Sequence, residues 1–278
     1  MQHFAQKTAF ITGGGAGIGL GMAQAFVERG MRLALADIDE QPLRAARAQL
    51  EAQGAEVLTF TLDISDRAAL RNAARATAER FGGIHVLCAN AGVGGSFGPL
   101  QEAKDSDWDW IIDVNIRGTV NTVQAFLPAL LEQPHDAHIV LTSSISGLRV
   151  HDPSRGQGMY NTTKYALVGL GEALALDLAP QGIGVSILCP GVVNTDLSNS
   201  GRNRPERYGG PFGTPSDFVL AKAASTGTEP LTFGRWIIRA IERQQLYVIT
   251  HDQDRDQVEA RHQRISAAFA ACKDLTAT

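Results

Sequence analysis

The stretch that decides the fold is TAFITGGGAGIG, residues 8–19. A short apolar run ends directly in a cluster of glycines, and a helical pattern follows to about residue 29. Backbone N–H groups and the positive end of the helix dipole favour a phosphate group at such a turn. The spacing Gly13-x-x-x-Gly17-x-Gly19 departs from the strict G-x-G-x-x-G pattern. Taken alone it also fits a purely structural turn.

Strand and helix patterns alternate along the chain beyond this stretch. Continuous apolar runs predict strands at 33–36, 57–61, 86–89, 138–142 and 185–188. Apolar residues spaced three and four apart predict helices, among them 107–131, 160–178 and 252–271. Strands that are apolar at every position are buried on both faces, which indicates a parallel sheet between two layers of helices. The sequence predicts a doubly wound, three-layer α/β fold in one domain over residues 1–278.

Composition excludes several classes of protein. Hydrophobic residues make up 44% of the chain and charged residues 19%, which excludes a disordered chain. The net charge of −4 gives no general attraction to nucleic acid or to an anionic membrane. The segment MQHFAQKTAF lacks the pattern of a signal peptide, and no apolar stretch approaches the roughly 18 residues of a membrane span. We expect a cytoplasmic protein without nucleic-acid or membrane partners.

Cysteine usage indicates neither a disulfide framework nor a metal site. Cys88, Cys189 and Cys272 are widely spaced, and no C-x-x-C pair occurs. Because zinc and disulfide frameworks use recognisable cysteine spacings, we predict free thiols and no bound metal.

An acidic residue follows the second predicted strand. A carboxylate at the position of Asp37 accepts hydrogen bonds from both hydroxyls of a ribose and repels a 2′-phosphate, which favours NAD over NADP. A helix cap is the alternative role for Asp37. Arg32 and Arg44 lie nearby in the sequence, so the preference for NAD is not absolute.

Tyr160 and Lys164 are four residues apart and therefore share one face of a helix. A phenol acting as general acid and base near pH 7 needs its pKa lowered from about 10, which takes roughly 4 kcal/mol. A neighbouring ammonium and an oxidised nicotinamide both favour the phenolate. The spacing alone also fits an amphipathic helix whose lysine reaches solvent.

Taken together, the motifs resemble those of the short-chain dehydrogenase/reductase family. The matching elements follow the family order: Thr12-Gly13-x-x-x-Gly17-x-Gly19, Asp63-Ile64, Asn90-Ala91-Gly92, Val114-Asn115, Ser143–Gly147, Tyr160-x-x-x-Lys164 and Pro190–Thr195. They span about two thirds of the chain. The resemblance implies the Rossmann fold, hydride transfer between NAD and a secondary alcohol or ketone, and a homodimer or homotetramer built through the helices that contain Asn115 and Tyr160.

The resemblance also implies individual roles. Tyr160 exchanges a proton with the substrate oxygen, Lys164 binds the nicotinamide ribose and lowers the tyrosine pKa, Ser144 orients the substrate oxygen, and Asn115 takes part in a proton relay through an ordered water. Ser143 and Ser146 compete for the role of Ser144. The implied cofactor-binding residues are Gly13, Gly15, Ala16, Gly17, Ile18, Gly19, Asp37, Ile38, Asp63, Ile64, Asn90, Ala91, Gly92, Tyr160, Lys164, Pro190, Gly191, Val193 and Thr195.

The substrate pocket is predicted from two irregular regions, a longer than usual loop at 148–159 and a lid at about 195–230. The candidate substrate-binding residues are Phe97, Ser144, Val150, His151, Met159 and Tyr208. Apolar walls favour a hydrophobic or aromatic alcohol. The segments Phe97-Gly98-Pro99 and Glu206–Gly209 resemble bacterial alcohol dehydrogenases that act on the benzylic carbon of lignin-derived aryl ethers.

Two other functions stay open from the sequence. One is an NADPH-dependent carbonyl or 3-oxoacyl reductase, which Asp37 disfavours. The other is a non-catalytic protein that uses the fold only to sense NAD, because a fold alone does not establish chemistry.

Overall fold

Seven parallel strands form the central sheet of the structure, a computed structural model that describes residues 1–133, 136–150, 156–213 and 226–275. The strands are β1 Thr8–Thr12, β2 Arg32–Asp37, β3 Val57–Thr61, β4 Val86–Ala89, β5 His138–Thr142, β6 Gly184–Cys189 and β7 Tyr247–Ile249. They pair in the order β3-β2-β1-β4-β5-β6-β7, and every pair is parallel. The chain order reverses between β1 and β4, where the carboxyl ends of strands open a crevice for ligands.

Helices cover both faces of the sheet. They are α1 Gly17–Val27, α2 Glu40–Glu51, α3 Arg67–Phe81, α4 Asp105–Ile112, α5 Thr119–Leu131, α6 Gly158–Leu178, α7 Pro230–Arg243 and α8 Arg255–Leu275. Alternate residues of β1 enter two separate cores: Ile11 packs with Phe26 of α1, and Phe10 packs with Phe126 of α5. The predicted doubly wound, three-layer fold is confirmed.

The helix predicted over residues 107–131 is interrupted. α4 ends at Ile112, a π-helical turn spans Asp113–Gly118, and α5 begins at Thr119. In this turn the Asn115 side chain accepts a hydrogen bond from the Val93 backbone nitrogen (2.8 Å) and donates one to the Val93 carbonyl (2.9 Å). Contacts with a remote segment hold the wider turn, so the spacing of apolar residues does not reveal it.

The region predicted as a lid contains two short 3₁₀ segments, Leu197–Asn203 and Glu206–Tyr208. Residues 214–225 of that region lie outside the described residues, and so does His151 of the 148–159 loop. Within the described ranges, no helix combines the length and the apolar character that a membrane crossing requires.

Candidate active site

The glycine-rich loop connects β1 to α1 in a conformation that only small residues fit. Gly13 and Gly17 have positive φ angles of 64° and 52°. A Cβ atom on Gly19 would lie 1.9 Å from the Gly13 carbonyl oxygen. Gly13, Ala16, Gly17 and Ile18 line the cleft at the carboxyl ends of the strands. Gly15 and Gly19 support the loop from behind and are not among the lining residues.

Asp37 ends β2 beside this loop. Its carboxylate accepts hydrogen bonds from the backbone nitrogens of Gly15 (3.0 Å) and Asp39 (3.1 Å). Burial raises the pKa of Asp37, and these backbone bonds oppose the rise. Asp37 and Ile38 both line the cleft, as do Asp63 and Ile64 after β3.

The two arginines near Asp37 in the sequence point elsewhere. Arg32 donates to the Gln6 carbonyl and lies over the Phe81 ring, with its guanidinium carbon 5.5 Å from the ring centroid. Arg44 pairs with Glu40 at 3.8 Å on the surface of α2. Neither lines the cleft, so neither supplies a cation next to Asp37.

Asn90, after β4, ties the ends of three strands together. Its side-chain nitrogen donates to the Thr12 carbonyl of β1 at 3.0 Å, and its side-chain oxygen accepts from the Thr142 hydroxyl of β5 at 3.0 Å. Asn90, Ala91 and Gly92 all line the cleft. Thr12 and Thr142 were not predicted as part of the site. Both threonines end strands and precede Gly13 and Ser143 in the sequence, and this position could have predicted that they belong to the site.

Tyr160, Lys164 and Ser144 converge at the β5 side of the cleft. The Lys164 ammonium donates to the Thr142 carbonyl at 2.9 Å and lies 5.4 Å from the centroid of the Tyr160 ring. The Ser144 hydroxyl lies near enough to the Tyr160 phenol to lower the pKa of that phenol, and it accepts a hydrogen bond from the Ser146 backbone nitrogen (3.1 Å). All three side chains are buried and line the cleft.

Burial shifts both titrating groups toward their neutral forms. It lowers the pKa of Lys164 to about 8. It raises the pKa of Tyr160 to about 12, and the hydrogen bond with Ser144 acts in the opposite direction. The phenol is therefore protonated at neutral pH in the protein alone, ready to act as an acid.

The competing serines have other partners. The Ser143 hydroxyl donates to the Lys164 backbone carbonyl at 2.8 Å, which fixes β5 against α6. Ser146 offers its backbone nitrogen to Ser144. Asn115 is fully buried and does not line the cleft. Besides its bonds to Val93, it donates to the Thr163 hydroxyl at 3.1 Å, so its side chain positions the wall of the site.

The segment after β6 forms the opposite wall. Pro190, Gly191, Val193 and Thr195 line the cleft. A Cβ atom on Gly17 would lie 3.0 Å from the Thr195 Cγ2 atom, so this wall closely approaches the glycine-rich loop.

Residues 197–213 continue from this wall and are called the strap. Arg204 anchors the strap to α4 through a buried ion pair with Asp107 (2.6 Å) and a hydrogen bond to the Ser106 hydroxyl (3.0 Å). Its guanidinium carbon lies 5.6 Å from the ring centroids of both Trp110 and Phe212. Trp110 lines the cleft and was not predicted as a site residue.

Some of the predicted substrate-binding residues line the cleft and others do not. Tyr208 lines the cleft, and its hydroxyl donates to Asp113 at 2.6 Å. Met159 is buried against Ile111 and Tyr160. Val150 is 67% exposed, and neither it, Met159 nor Phe97 is among the lining residues.

Among the described residues, no group of three or more His, Cys, Asp or Glu side chains is arranged to hold a metal ion. A tyrosine, a lysine and a serine converge in this site beside the glycine-rich loop. A parallel sheet with this loop and these groups at one edge defines a dinucleotide-binding oxidoreductase.

Comparison with known proteins identifies the family. The family model for short chain dehydrogenases matches residues 7–206. The chain belongs to the short-chain dehydrogenase/reductase family, whose fold binds a nicotinamide cofactor.

Individual relatives are similar over nearly the whole chain. The CLA biosynthesis dehydrogenase/reductase of Lactiplantibacillus plantarum is 34% identical over 95% of this chain and 95% of its own. The C alpha-dehydrogenase of Sphingobium sp. is 32% identical over 97% of this chain and 88% of its own. The family and the predicted resemblance to aryl-ether dehydrogenases are therefore confirmed.

Solved structures of relatives contain either form of the cofactor. A short chain dehydrogenase/reductase from Burkholderia phymatum, in complex with NAD, has a TM-score of 0.89 and 36% identity, covering 96% of this chain and 97% of its own. One from Burkholderia cenocepacia, in complex with NADP, has a TM-score of 0.74 and 28% identity, covering 89% of this chain and 96% of its own.

Proposed function

We propose that this chain interconverts a secondary alcohol and a ketone with NAD as the cofactor. The observation that carries the proposal is the convergence of Tyr160, Lys164 and Ser144 at one end of a cleft whose other end holds Asp37. The reaction needs a group that transfers a proton and a bound cofactor that carries the hydride. The cleft offers Tyr160 for the first and the ribose-binding carboxylate of Asp37 for the second.

The residues of the cleft fit the cofactor. A Cβ atom on Gly17 would crowd the Thr195 methyl group, whereas the bare loop admits a phosphate at the start of α1. Each Asp37 oxygen accepts one backbone bond and keeps a lone pair for a ribose hydroxyl. When bound, the dinucleotide carries the two electrons of the reaction and, in its oxidised form, places a positive charge near Tyr160.

Tyr160 handles the proton in this mechanism. During reduction its phenol donates a proton to the substrate oxygen, and during oxidation its phenolate accepts that proton. Ser144 hydrogen-bonds the same oxygen and fixes it beside the phenol, because both hydroxyls lie on the β5 side of the cleft. Burial raises the pKa of the Tyr160 phenol to about 12. Positive charge near the phenol must lower this pKa before Tyr160 acts as a base.

Lys164 holds the ribose next to the nicotinamide and passes protons toward solvent. The Asn115 side chain is already hydrogen-bonded to Val93 and Thr163. We therefore assign the proton relay at this position to the Asn115 backbone together with an ordered water. Asn115 is then a positioning residue that keeps the wall of the site in place.

The preference for NAD rests on the charges around Asp37. Its carboxylate repels a 2′-phosphate, and the two arginines nearest in sequence face away from the cleft. A reductase that uses NADPH would need a cation at this place.

We propose a benzylic secondary alcohol as the substrate. The lining of the cleft includes the apolar side chains of Trp110, Leu197 and Val93, and Val93 packs with Tyr160. Such a surface accepts an aromatic ring. The C alpha-dehydrogenase relative supports the same class of substrate by its name. Faster turnover of 1-phenylethanol than of 2-butanol checks this assignment.

The decisive experiment replaces Tyr160 by phenylalanine. The Tyr160→Phe variant loses the proton-transfer group, so we expect turnover to fall by about 10²- to 10⁴-fold. Binding of NADH, followed by fluorescence, stays unchanged. Tyr165→Phe is the matched control, because that ring lies 5.0 Å from the Arg261 guanidinium carbon and outside the cleft. Equal turnover in both variants contradicts the mechanism, and NADH binding without any turnover by the natural chain favours a sensor.

We also propose a homo-oligomer built through α5 and α6. Both helices keep apolar side chains on their outer faces, with Leu131 at 42% and Leu176 at 78% exposure. A second copy of the chain would cover these surfaces.

A further inference from the structure

The strap crosses the cleft from one side of the sheet to the other. It begins after β6, yet Arg207 pairs with Asp63, which follows β3. β6 and β3 are separated by four other strands. Neighbouring strands lie about 4.8 Å apart, so the strap reaches across about 24 Å of the crevice.

Three polar contacts hold the far end of the strap. The Arg207 guanidinium donates to the Asp63 carboxylate at 3.1 Å and to the Ser65 hydroxyl at 3.2 Å. The Tyr208 hydroxyl donates to Asp113 at 2.6 Å, and the guanidinium carbon of Arg207 lies 4.6 Å from the Tyr208 ring centroid. Arg207, Tyr208, Asp63 and Ile64 all line the same cleft.

The topology indicates which part of a dinucleotide this end would hold. On the proposed function, the reacting ring would lie beside Tyr160 near β5, and the phosphates would lie at the start of α1. Asp37 on β2 would bind the second ribose. The adenine would then lie toward β3, where Asp63, Ile64 and Leu62 line the cleft.

We propose that Arg207 is an adenosine-binding residue, with the strap closing over the adenine half of the cofactor and the guanidinium covering the purine face. This inference rests on the proposed binding of a dinucleotide. A guanidinium is planar and stacks on aromatic faces, and Asp63 with Ser65 holds it at the rim of the cleft. Segments that follow β6 would thus bind both ends of the cofactor.

The test compares ligands that carry one half of the cofactor. ADP-ribose contains the adenosine half, and reduced nicotinamide mononucleotide contains the other. In the Arg207→Gln variant we expect the Kd for ADP-ribose and for NADH, measured by calorimetry, to rise about fivefold or more. The Kd for reduced nicotinamide mononucleotide stays unchanged. Arg207→Lys keeps the charge but not the planar group, so it restores less than half of the lost free energy of binding.

Arg235→Gln is the matched control. Arg235 is also half-exposed and paired with a carboxylate, Glu28 at 2.6 Å, but it lies on α7 and does not line the cleft. We expect this variant to bind all three ligands as the natural chain does, and thermal melting checks that both variants fold.

Three outcomes overturn the proposal. If Arg207→Gln leaves the affinity for ADP-ribose unchanged, Arg207 forms a surface ion pair and does not bind adenosine. Tighter ADP-ribose binding shows that the pair with Asp63 obstructs the adenine. If the affinities for ADP-ribose and for reduced nicotinamide mononucleotide fall equally, the substitution disturbs the whole strap and not an adenosine contact. Failure of the natural chain to bind NADH at all would instead refute the proposed function, so the two failures are distinguishable.

Discussion

Lys164 carries its ammonium into a buried site, where it donates a hydrogen bond to the Thr142 carbonyl. Burial lowers its pKa from 10.5 to about 8. Between these values the unfolded chain binds a proton that the folded chain has released. The free energy of unfolding therefore rises with pH across this window, by about 3 kcal/mol for this group.

The Lys164→Met variant tests this contribution. We expect the natural chain to gain stability relative to the variant between about pH 8 and pH 10, as measured by urea unfolding at a series of pH values. Tyr160 titrates higher, since its pKa is raised to about 12, and is present in both proteins. Parallel pH profiles for the two proteins would show that the lysine titrates normally.

The proposed preference for NAD rests on one carboxylate, that of Asp37. We expect the natural chain to bind NADH at least tenfold more tightly than NADPH, a difference of about 1.4 kcal/mol. The Asp37→Ser variant removes the repulsion and reduces that ratio to near one. Fluorescence titrations with the two reduced cofactors at one salt concentration give both ratios. Tighter NADPH binding by the natural chain would instead favour the reductase alternative.

At the scale of elements, the strap depends on the buried pair between Arg204 and Asp107. Removing one member of a buried pair leaves an uncompensated charge, which costs about 3–5 kcal/mol. The backbone amides of position 204 and of Phe212 both donate to the Gly201 carbonyl. We expect faster hydrogen exchange at these two amides in Arg204→Met than in the natural chain.

The matched control for the strap is Arg202→Met. Arg202 forms an exposed pair with Asp196 at 2.8 Å, which contributes about 0–1 kcal/mol. Similar exchange in the two variants would show that the buried pair does not hold the strap.

The local motifs of the site could be predicted from the sequence because each lies within one turn or one helix face. The glycine-rich loop and the pair formed by Tyr160 and Lys164 are of this kind. The sequence predicted an irregular lid at about 195–230, but it did not predict the path of the strap within that lid. Its path depends on Arg204 and Arg207 meeting carboxylates 97 and 144 residues away in sequence, and no periodic pattern carries that information.

The π-helical turn was hidden from the sequence for a related reason. Apolar spacing around Asn115 is that of an ordinary helix, and the deviation comes from hydrogen bonds to Val93. Pattern analysis detects the core face of a helix but not a bond from its side chain to a remote backbone.

At the scale of the whole molecule, the alternation of apolar runs and helical patterns was sufficient for the sheet and its two layers, because parallel strands require crossover helices. The assembly is the remaining prediction at this scale. We expect light scattering to report a dimer or tetramer, and Leu176→Glu on α6 to shift the population toward monomer. A monomer for the natural chain refutes the proposed interface.

The wide turn at Asp113–Gly118 also constrains how the gene can vary. A π turn holds one residue more than an α turn, so removing a single codon here would leave a regular helix. Because an α turn would replace the π turn, α4 and α5 would keep nearly the same rotational phase, and their core faces would still match. The damage would instead be local: Asn115 would lose the placement that joins it to the Val93 backbone and to the Thr163 hydroxyl, so losing one amino acid here would remove a support of the cleft wall and leave the rest of the fold in place.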